Sequence, residues 1–306
     1  MSEFKAIEGI CDTLYADVES RHVGDTYRIF VSRPQVHHPG NKCPVLYALD
    51  GNGSYAIAES IRMMSLGLEL PQMYVVSIGY PVDSFAETMA IRTRDLTPNT
   101  GGQLEATTLL FAAGGDDRYR PGGGEAFLRF LCEELRPMIE DQFDVDPNDS
   151  ILGGASLGGL FPTWVLLNQP ESFNRYLCIS PSIWWNDEEV WQWESAYAEQ
   201  HDDLQAEVFF SAGGLEMQDL LKEQVKTSEM MPPEARDAMV AAYDEFGWPR
   251  MAEITPEITE KLASRGYPGL KVHCYNMPHE THLSVFIGAM LRGLRVFYAH
   301  WQIPAG

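Results

Sequence analysis

Residues 151–168 read Ile-Leu-Gly-Gly-Ala-Ser-Leu-Gly-Gly-Leu-Phe-Pro-Thr-Trp-Val-Leu-Leu-Asn. Ile151-Leu152-Gly153 has the character of a buried strand, and Ser156 to Asn168 reads as an apolar helix. Between them Gly154-Ala155-Ser156-Leu157-Gly158 fits the pattern G-x-S-x-G. On a strand-to-helix turn that spacing has a physical reason. A serine held in a tight, strained turn lifts its hydroxyl above the sheet, and small neighbours let the adjoining backbone approach. A helix that starts at the serine also aims its first amides at the oxygen that becomes charged when the hydroxyl attacks. The stretch therefore predicts a nucleophile elbow with Ser156 as the nucleophile.

On either side of it, short β-branched and aromatic runs alternate with longer helical patterns, as in a mostly parallel central sheet with helices on both faces. Tyr27–Val31 alternates and is expected as an early edge strand. Val45–Leu49, closed by Asp50-Gly51-Asn52-Gly53, is expected as a buried strand, as are Tyr74–Gly79, Tyr176–Ile179, Val208–Ser211 and Leu270–Tyr275. Glu125–Phe143 carries Phe127, Phe130, Leu131, Leu135, Ile139 and Phe143 at helical spacing, and Leu283–His300 reads as a closing helix. The fold class is α/β, with the elbow pointing to the α/β-hydrolase fold, and residues 1–306 are expected as a single domain. Residues 217–269 interrupt the pattern with short amphipathic pieces separated by Pro232-Pro233, Trp248-Pro249 and Thr255-Pro256. They predict a helical insertion before the last strand. Its methionines, Met217, Met230, Met231, Met239 and Met251, suit either an ordinary helical subdomain or a flexible cap over an apolar site.

With 44 acidic and 22 basic side chains the formal charge is -22, which repels phosphate backbones and anionic lipid. Neither nucleic acid nor membrane is expected as a partner. Met1–Ile10 has no apolar core of a signal peptide, and Val285–Tyr298 is broken by Arg292 and Arg295. The five cysteines, Cys11, Cys43, Cys132, Cys178 and Cys274, are odd in number and form no C-x-x-C pair. They indicate neither a zinc site nor a disulfide framework, so a cytoplasmic protein with no metal and no cofactor is expected.

In the chain order of this fold an acid and then a histidine follow the serine. His273 sits inside a strand pattern, whereas His279 and His282 lie in Pro278-His279-Glu280-Thr281-His282 just before the closing helix. His282 abuts that helix and is the expected base. The acid belongs in the loop after Val208–Ala212, where Glu216 and Asp219 are candidates and Glu216 is nearer the strand end. Leu157, which follows the nucleophile, supplies one oxyanion amide; Gly51 or Asn52, in the turn after Val45–Leu49, supplies the other.

Five segments together resemble the esterase D-like esterase family, and within it the branch of enterobactin esterases and siderophore hydrolases. They are Pro44–Asn52, Arg92–Pro98, Gly153–Phe161, Ser180-Pro181-Ser182-Ile183-Trp184-Trp185 and Glu280–Ser284. The resemblance runs from about Tyr27 to Phe297 and implies metal-independent ester hydrolysis through an acyl-enzyme. It carries the nucleophile onto Ser156 and the base onto His282, and supports Glu216 as the acid. Arg92 matches a family arginine suited to an anionic or catecholate group, or it braces its loop through Asp95. Trp184 and Trp185 are expected as a wall of the substrate site, or as a buried aromatic cluster. Residues 217–269 exceed the family's usual linker, so a reshaped pocket is expected. Small acyl esters and siderophore-type lactones both fit, and substrate is not inherited from the family. An acyltransferase using the same triad is the alternative within chemistry. A non-catalytic binding module on the same fold is the alternative outside it.

Overall fold

The apolar runs that recur along the sequence become the strands of one nine-stranded sheet. The computed structural model describes residues 3–7, 10, 12–36, 38, 40–64, 69–102, 117–229 and 232–299, apart from the side chains of 56–59, 61, 63 and 64. Its strands are β1 (Lys5–Ala6), β2 (Thr13–Glu19), β3 (Thr26–Ser32), β4 (Cys43–Ala48), β5 (Tyr74–Gly79), β6 (Val145–Ala155), β7 (Arg175–Ile179), β8 (Ala206–Ser211) and β9 (Leu270–Cys274). They lie in the order β1-β2-β3-β5-β4-β6-β7-β8-β9. The first three and β5 pair antiparallel, and every pairing from β5 through β9 is parallel. The α/β expectation, a mostly parallel sheet with helices, holds.

Alternation along the strands divides the core into two layers. Val45, Tyr47 and Leu49 point into one apolar cluster, which also takes in Leu160, Phe161 and Val165 and residues Phe127 to Ile139. Leu46, Ala48, Ile151, Leu177 and Phe209 point into the other, closed by Val285, Ala289, Met290, Leu294 and Phe297. Parallel strands buried on both faces read as continuous apolar runs, which is why β4, β5 and β7 stand out in the sequence. The run expected as Glu125–Phe143 is helical from Gly124–Arg129 through a π-wound Phe130–Leu135 to Arg136–Gln142, and ends where Phe143 turns extended.

One expectation needs adjustment. Tyr27–Val31 is not an edge: β3 sits between β2 and β5, with Tyr27, Ile29 and Val31 buried. Its neighbour β2 has the same signal, since Ala16 and Val18 alternate with Asp17 and Glu19, and with β1 it extends the sheet beyond β3. The described residues of 217–269 form three helices, Gln218–Thr227, Pro233–Phe246 and Met251–Ser264, in keeping with the helical segment expected there. The last is not peripheral, because Ile254, Ile258 and Leu262 belong to the main core. Cys11, Met230, Met231 and His300 lie outside the described residues. Cys43, Cys132, Cys178 and Cys274 are free thiols, and among the described residues no helix is long and apolar enough to cross a membrane.

The antiparallel strand β3 is tied to the helix Phe85–Asp95 by a buried carboxylate. Asp95 is fully buried and accepts from Tyr27 Oη at 2.8 Å and from Arg94 Nε at 2.7 Å. Arg94 reaches on to Asp25 at 2.9 Å. Tyr27→Phe keeps the ring, which stacks on Phe130, but removes one donor from a carboxylate that water cannot reach. The variant is expected to lose about 1–3 kcal/mol of stability in urea unfolding, with an unchanged m-value.

Candidate active site

At the end of β6 the chain reverses into the helix Leu157–Asn168, and Ser156 occupies the corner with φ 62° and ψ -122°. A non-glycine residue in that region is strained and persists only where its surroundings fix it. Here Ser156 N–H donates to Ile179 O at 3.0 Å, and Ser156 O accepts from Ser182 N–H at 3.1 Å. A Cβ at Gly154 would stand 2.6 Å from Gly158 O, and one at Gly159 would stand 2.6 Å from Ile179 O. Both positions are glycine because two backbones meet there. Ser156 Oγ lies 3.4 Å from Ser182 Oγ. Leu157 is the first residue of the helix, so its N–H has no intrahelical acceptor.

The loops after β8 and β9 adjoin because those strands pair, and they bring an acid and a histidine together. Glu216 is completely buried. Its Oε1 accepts from Ser180 Oγ at 2.6 Å and from Gly213 N–H at 2.7 Å, and its Oε2 lies 2.7 Å from His282 Nδ1. A carboxylate in that position favours the proton on Nδ1 and leaves Nε2 as the ring's open atom. Gly214 N–H to Met277 O (2.8 Å) and Leu215 N–H to Glu280 O (3.0 Å) stitch the two loops together. The other candidates lie elsewhere. Asp219 is exposed in the first turn of Gln218–Thr227, His279 is exposed, and His273 faces Glu207 at 3.2 Å.

Ser156 and His282 line one cavity of about 560 Å³ with Asp50, Asn52, Arg92, Val82, Phe85, Met89, Leu283 and Phe286. Asn52 stands in the first turn of the helix Gly51–Met64, and its side chain spans Tyr80, donating to its O at 2.7 Å and accepting from its N–H at 2.6 Å. Arg92 sits on the helix Phe85–Asp95 and is only 9% exposed. It does not pair with Asp95. It forks onto Asp50 through Nε (2.5 Å) and Nη2 (3.0 Å), and Nη2 also donates to Ala155 O at 2.9 Å, next to Ser156. Burial opposes its charge, but the Asp50 carboxylate outweighs burial and holds the guanidinium pKa above its ordinary value.

Neither tryptophan lines this cavity. Trp185 is buried, with Nε1 donating to Asn99 Oδ1 at 2.8 Å, and Trp184 lines a separate cavity beside Phe246 and Trp248. No described residue of 217–269 lines the Ser156 cavity either. That segment touches the site from behind, where Ala252 N–H donates to Glu216 O at 3.3 Å. Sequence reasoning passed over Ser180, Ser182, Asp50, Phe85 and Phe286. Ser180-Pro181-Ser182 did appear within the segment that carries the family resemblance, but nothing local tells a serine hydroxyl which neighbour it meets.

Over residues 20–246 the chain matches the family described as "Putative esterase", and it belongs to that family. It is 35% identical over 174 residues to the ferri-bacillibactin esterase BesA of Bacillus subtilis, covering 55% of this chain and 58% of that one. The chain thus spans little more than half of that relative's length. To the siderophore triacetylfusarinine C esterase of Aspergillus fumigatus it is 27% identical over 296 residues, covering 91% and 90%. Among solved structures, the BES protein from Bacillus cereus superposes with a TM-score of 0.69 at 26% identity over 96% and 97% of the two chains. The siderophore hydrolase EstA from Aspergillus nidulans superposes with 0.75 at 23% identity over 98% and 99%, a likeness of fold. The fold is that of the α/β-hydrolases.

Removing the carboxylate partner of a buried guanidinium strands its charge. Asp50→Ala is expected to destabilise the protein by about 3 kcal/mol in urea unfolding. Asp50→Ala combined with Arg92→Leu should recover part of that loss. Additive losses in the double variant would mean the pair is not coupled.

Proposed function

We propose that this chain is a serine carboxylic-ester hydrolase working through Ser156, His282 and Glu216. The observation that carries this is the 2.7 Å contact of His282 Nδ1 with the buried Glu216, with Ser156 and His282 on one cavity wall. In this reading His282 Nε2 takes the Ser156 proton as Oγ attacks the ester carbonyl. The amides of Leu157 and Asn52, each in the first turn of a helix, stabilise the tetrahedral oxyanion. His282 then hands its proton to the departing alkoxide, leaving an acyl-enzyme. Water, giving a proton to His282, attacks the acyl carbon; the acid departs as Ser156 recovers its hydrogen.

Glu216 keeps the imidazole in the right tautomer and stabilises its charged form, while Ser180 and Gly213 hold the carboxylate itself. Small acyl esters and siderophore-type lactone esters are the proposed substrates. The latter are supported by the names of BesA and the triacetylfusarinine C esterase. Residues 217–269 are read as a helical insertion rooted in the same domain, since Met251–Ser264 shares its core.

Ser156→Ala should lower kcat for 4-nitrophenyl butyrate by about 10⁴-fold or more and abolish labelling by a fluorophosphonate probe. Glu216→Gln should cost about 10²–10⁴ in kcat, whereas Asp219→Asn should leave it within twofold. Full activity in folded Ser156→Ala would remove the proposal. Loss in Asp219→Asn with retention in Glu216→Gln would reassign the acid.

A further inference from the structure

The cavity beside Ser156 is apolar in its walls and carries no net positive charge. Phe85 and Leu283 are each 80% exposed at its margin; Met89 lies one turn beyond Phe85 on the helix Phe85–Asp95, and Phe286 follows Leu283 in the first turn of the helix Val285–Phe297. A lone exposed apolar side chain is ordinary, but here two large ones line the same pocket as the proposed nucleophile and base. Apart from His282, the charged side chains lining it among the described residues are Asp50, Asp83 and Arg92. Arg92 is committed to Asp50 by a forked pair, so the two cancel and Asp83 is left over. Asp83 also faces Arg28, whose guanidinium is itself forked onto Asp17 at 2.7 and 2.8 Å. The residues outside the described ones include no lysine or arginine, so none of them adds a permanent cation to this wall.

We propose that the cavity selects uncharged esters with an apolar or aromatic group seated against Phe85 and Leu283, and discriminates against esters of the same size that carry a carboxylate. This rests on the esterase reading above and sharpens it to a substrate class. An anionic group entering here meets a wall with a net charge of -1 from Asp83, Asp50 and Arg92, under a whole-chain charge of -22. It would also leave water for apolar surface with no cation free to receive it. An uncharged acyl or aryl group loses nothing comparable and covers the Phe85 and Leu283 side chains.

The test compares 4-nitrophenyl pentanoate with mono-4-nitrophenyl glutarate, which share leaving group and acyl length and differ in a terminal carboxylate. At low ionic strength the full chain should favour the pentanoate by about tenfold in kcat/KM. Salt at about 0.5 M and Asp83→Asn should each narrow that preference severalfold. Phe85→Ala removes a side chain that packs little in the folded protein. It should raise KM for 4-nitrophenyl phenylacetate about fivefold and leave kcat within twofold. A glutarate ester turned over as fast as the pentanoate would overturn the proposal. So would an unchanged KM in Phe85→Ala together with a preference indifferent to salt and to Asp83→Asn. Neither ester turned over by a folded protein that a fluorophosphonate still labels at Ser156 would overturn this inference alone; without that labelling the esterase reading falls, and this inference with it.

Discussion

The burial of the Glu216 carboxylate is the constraint on which the site depends. A group with no exposure must find inside the protein every hydrogen bond it would have made to water. Its partners come from three separate places in the chain: Ser180 just after β7, Gly213 just after β8, and His282 beyond β9. Those three segments converge only because β7, β8 and β9 are neighbours and parallel, so that their C-terminal ends open on the same side. The strand order is thus a requirement of the carboxylate as much as of the core. Displacing β9 would remove His282 and expose one carboxylate oxygen to nothing that could replace it.

A second ion pair, of a buried guanidinium with a half-buried carboxylate, lines the same cavity. Asp50 ends the run of β4 and Arg92 lies on Phe85–Asp95, and their forked contact also reaches the carbonyl of Ala155. The arginine that a sequence would offer to an anionic substrate is therefore occupied by the protein's own carboxylate. In a chain of net charge -22 such internal pairing is the expected fate of a buried guanidinium, because carboxylates outnumber cations two to one. What it leaves at the cavity is shape and apolar surface rather than charge.

The elbow, the histidine loop and most parallel strands were legible in the sequence because each is contiguous and each has a chemistry that few other arrangements share. Ser156 with its flanking glycines is one continuous stretch, and β4, β5 and β7 are apolar runs with no helical alternative of that length. The rest was hidden by relations that are not local. Tyr27–Val31 alternates like a strand with one covered face, yet which strands flank it follows from the long return to β5 and not from its own residues. Trp184 and Trp185 are adjacent and chemically identical, but one lines a second cavity and the other is sealed against Asn99. Arg92 had a carboxylate three positions away in Asp95, and chose one 42 residues away because Asp95 was already claimed by Tyr27 and Arg94.

The strain at Ser156 shows how packing overrides local preference. A left-handed serine costs about 1–3 kcal/mol, and nothing in its own chemistry repays that. Relaxing the corner would break the bond from Ser156 N–H to Ile179 O and the one from Ser182 N–H to Ser156 O. It would also part the backbones that Gly154 and Gly159 allow to touch, and with them the seam between β6 and β7. Each of those contacts is worth a fraction of the strain or more, and they are lost together. The half-buried hydroxyl is held at the corner by contacts of the sheet and helix around it rather than by any preference of its own.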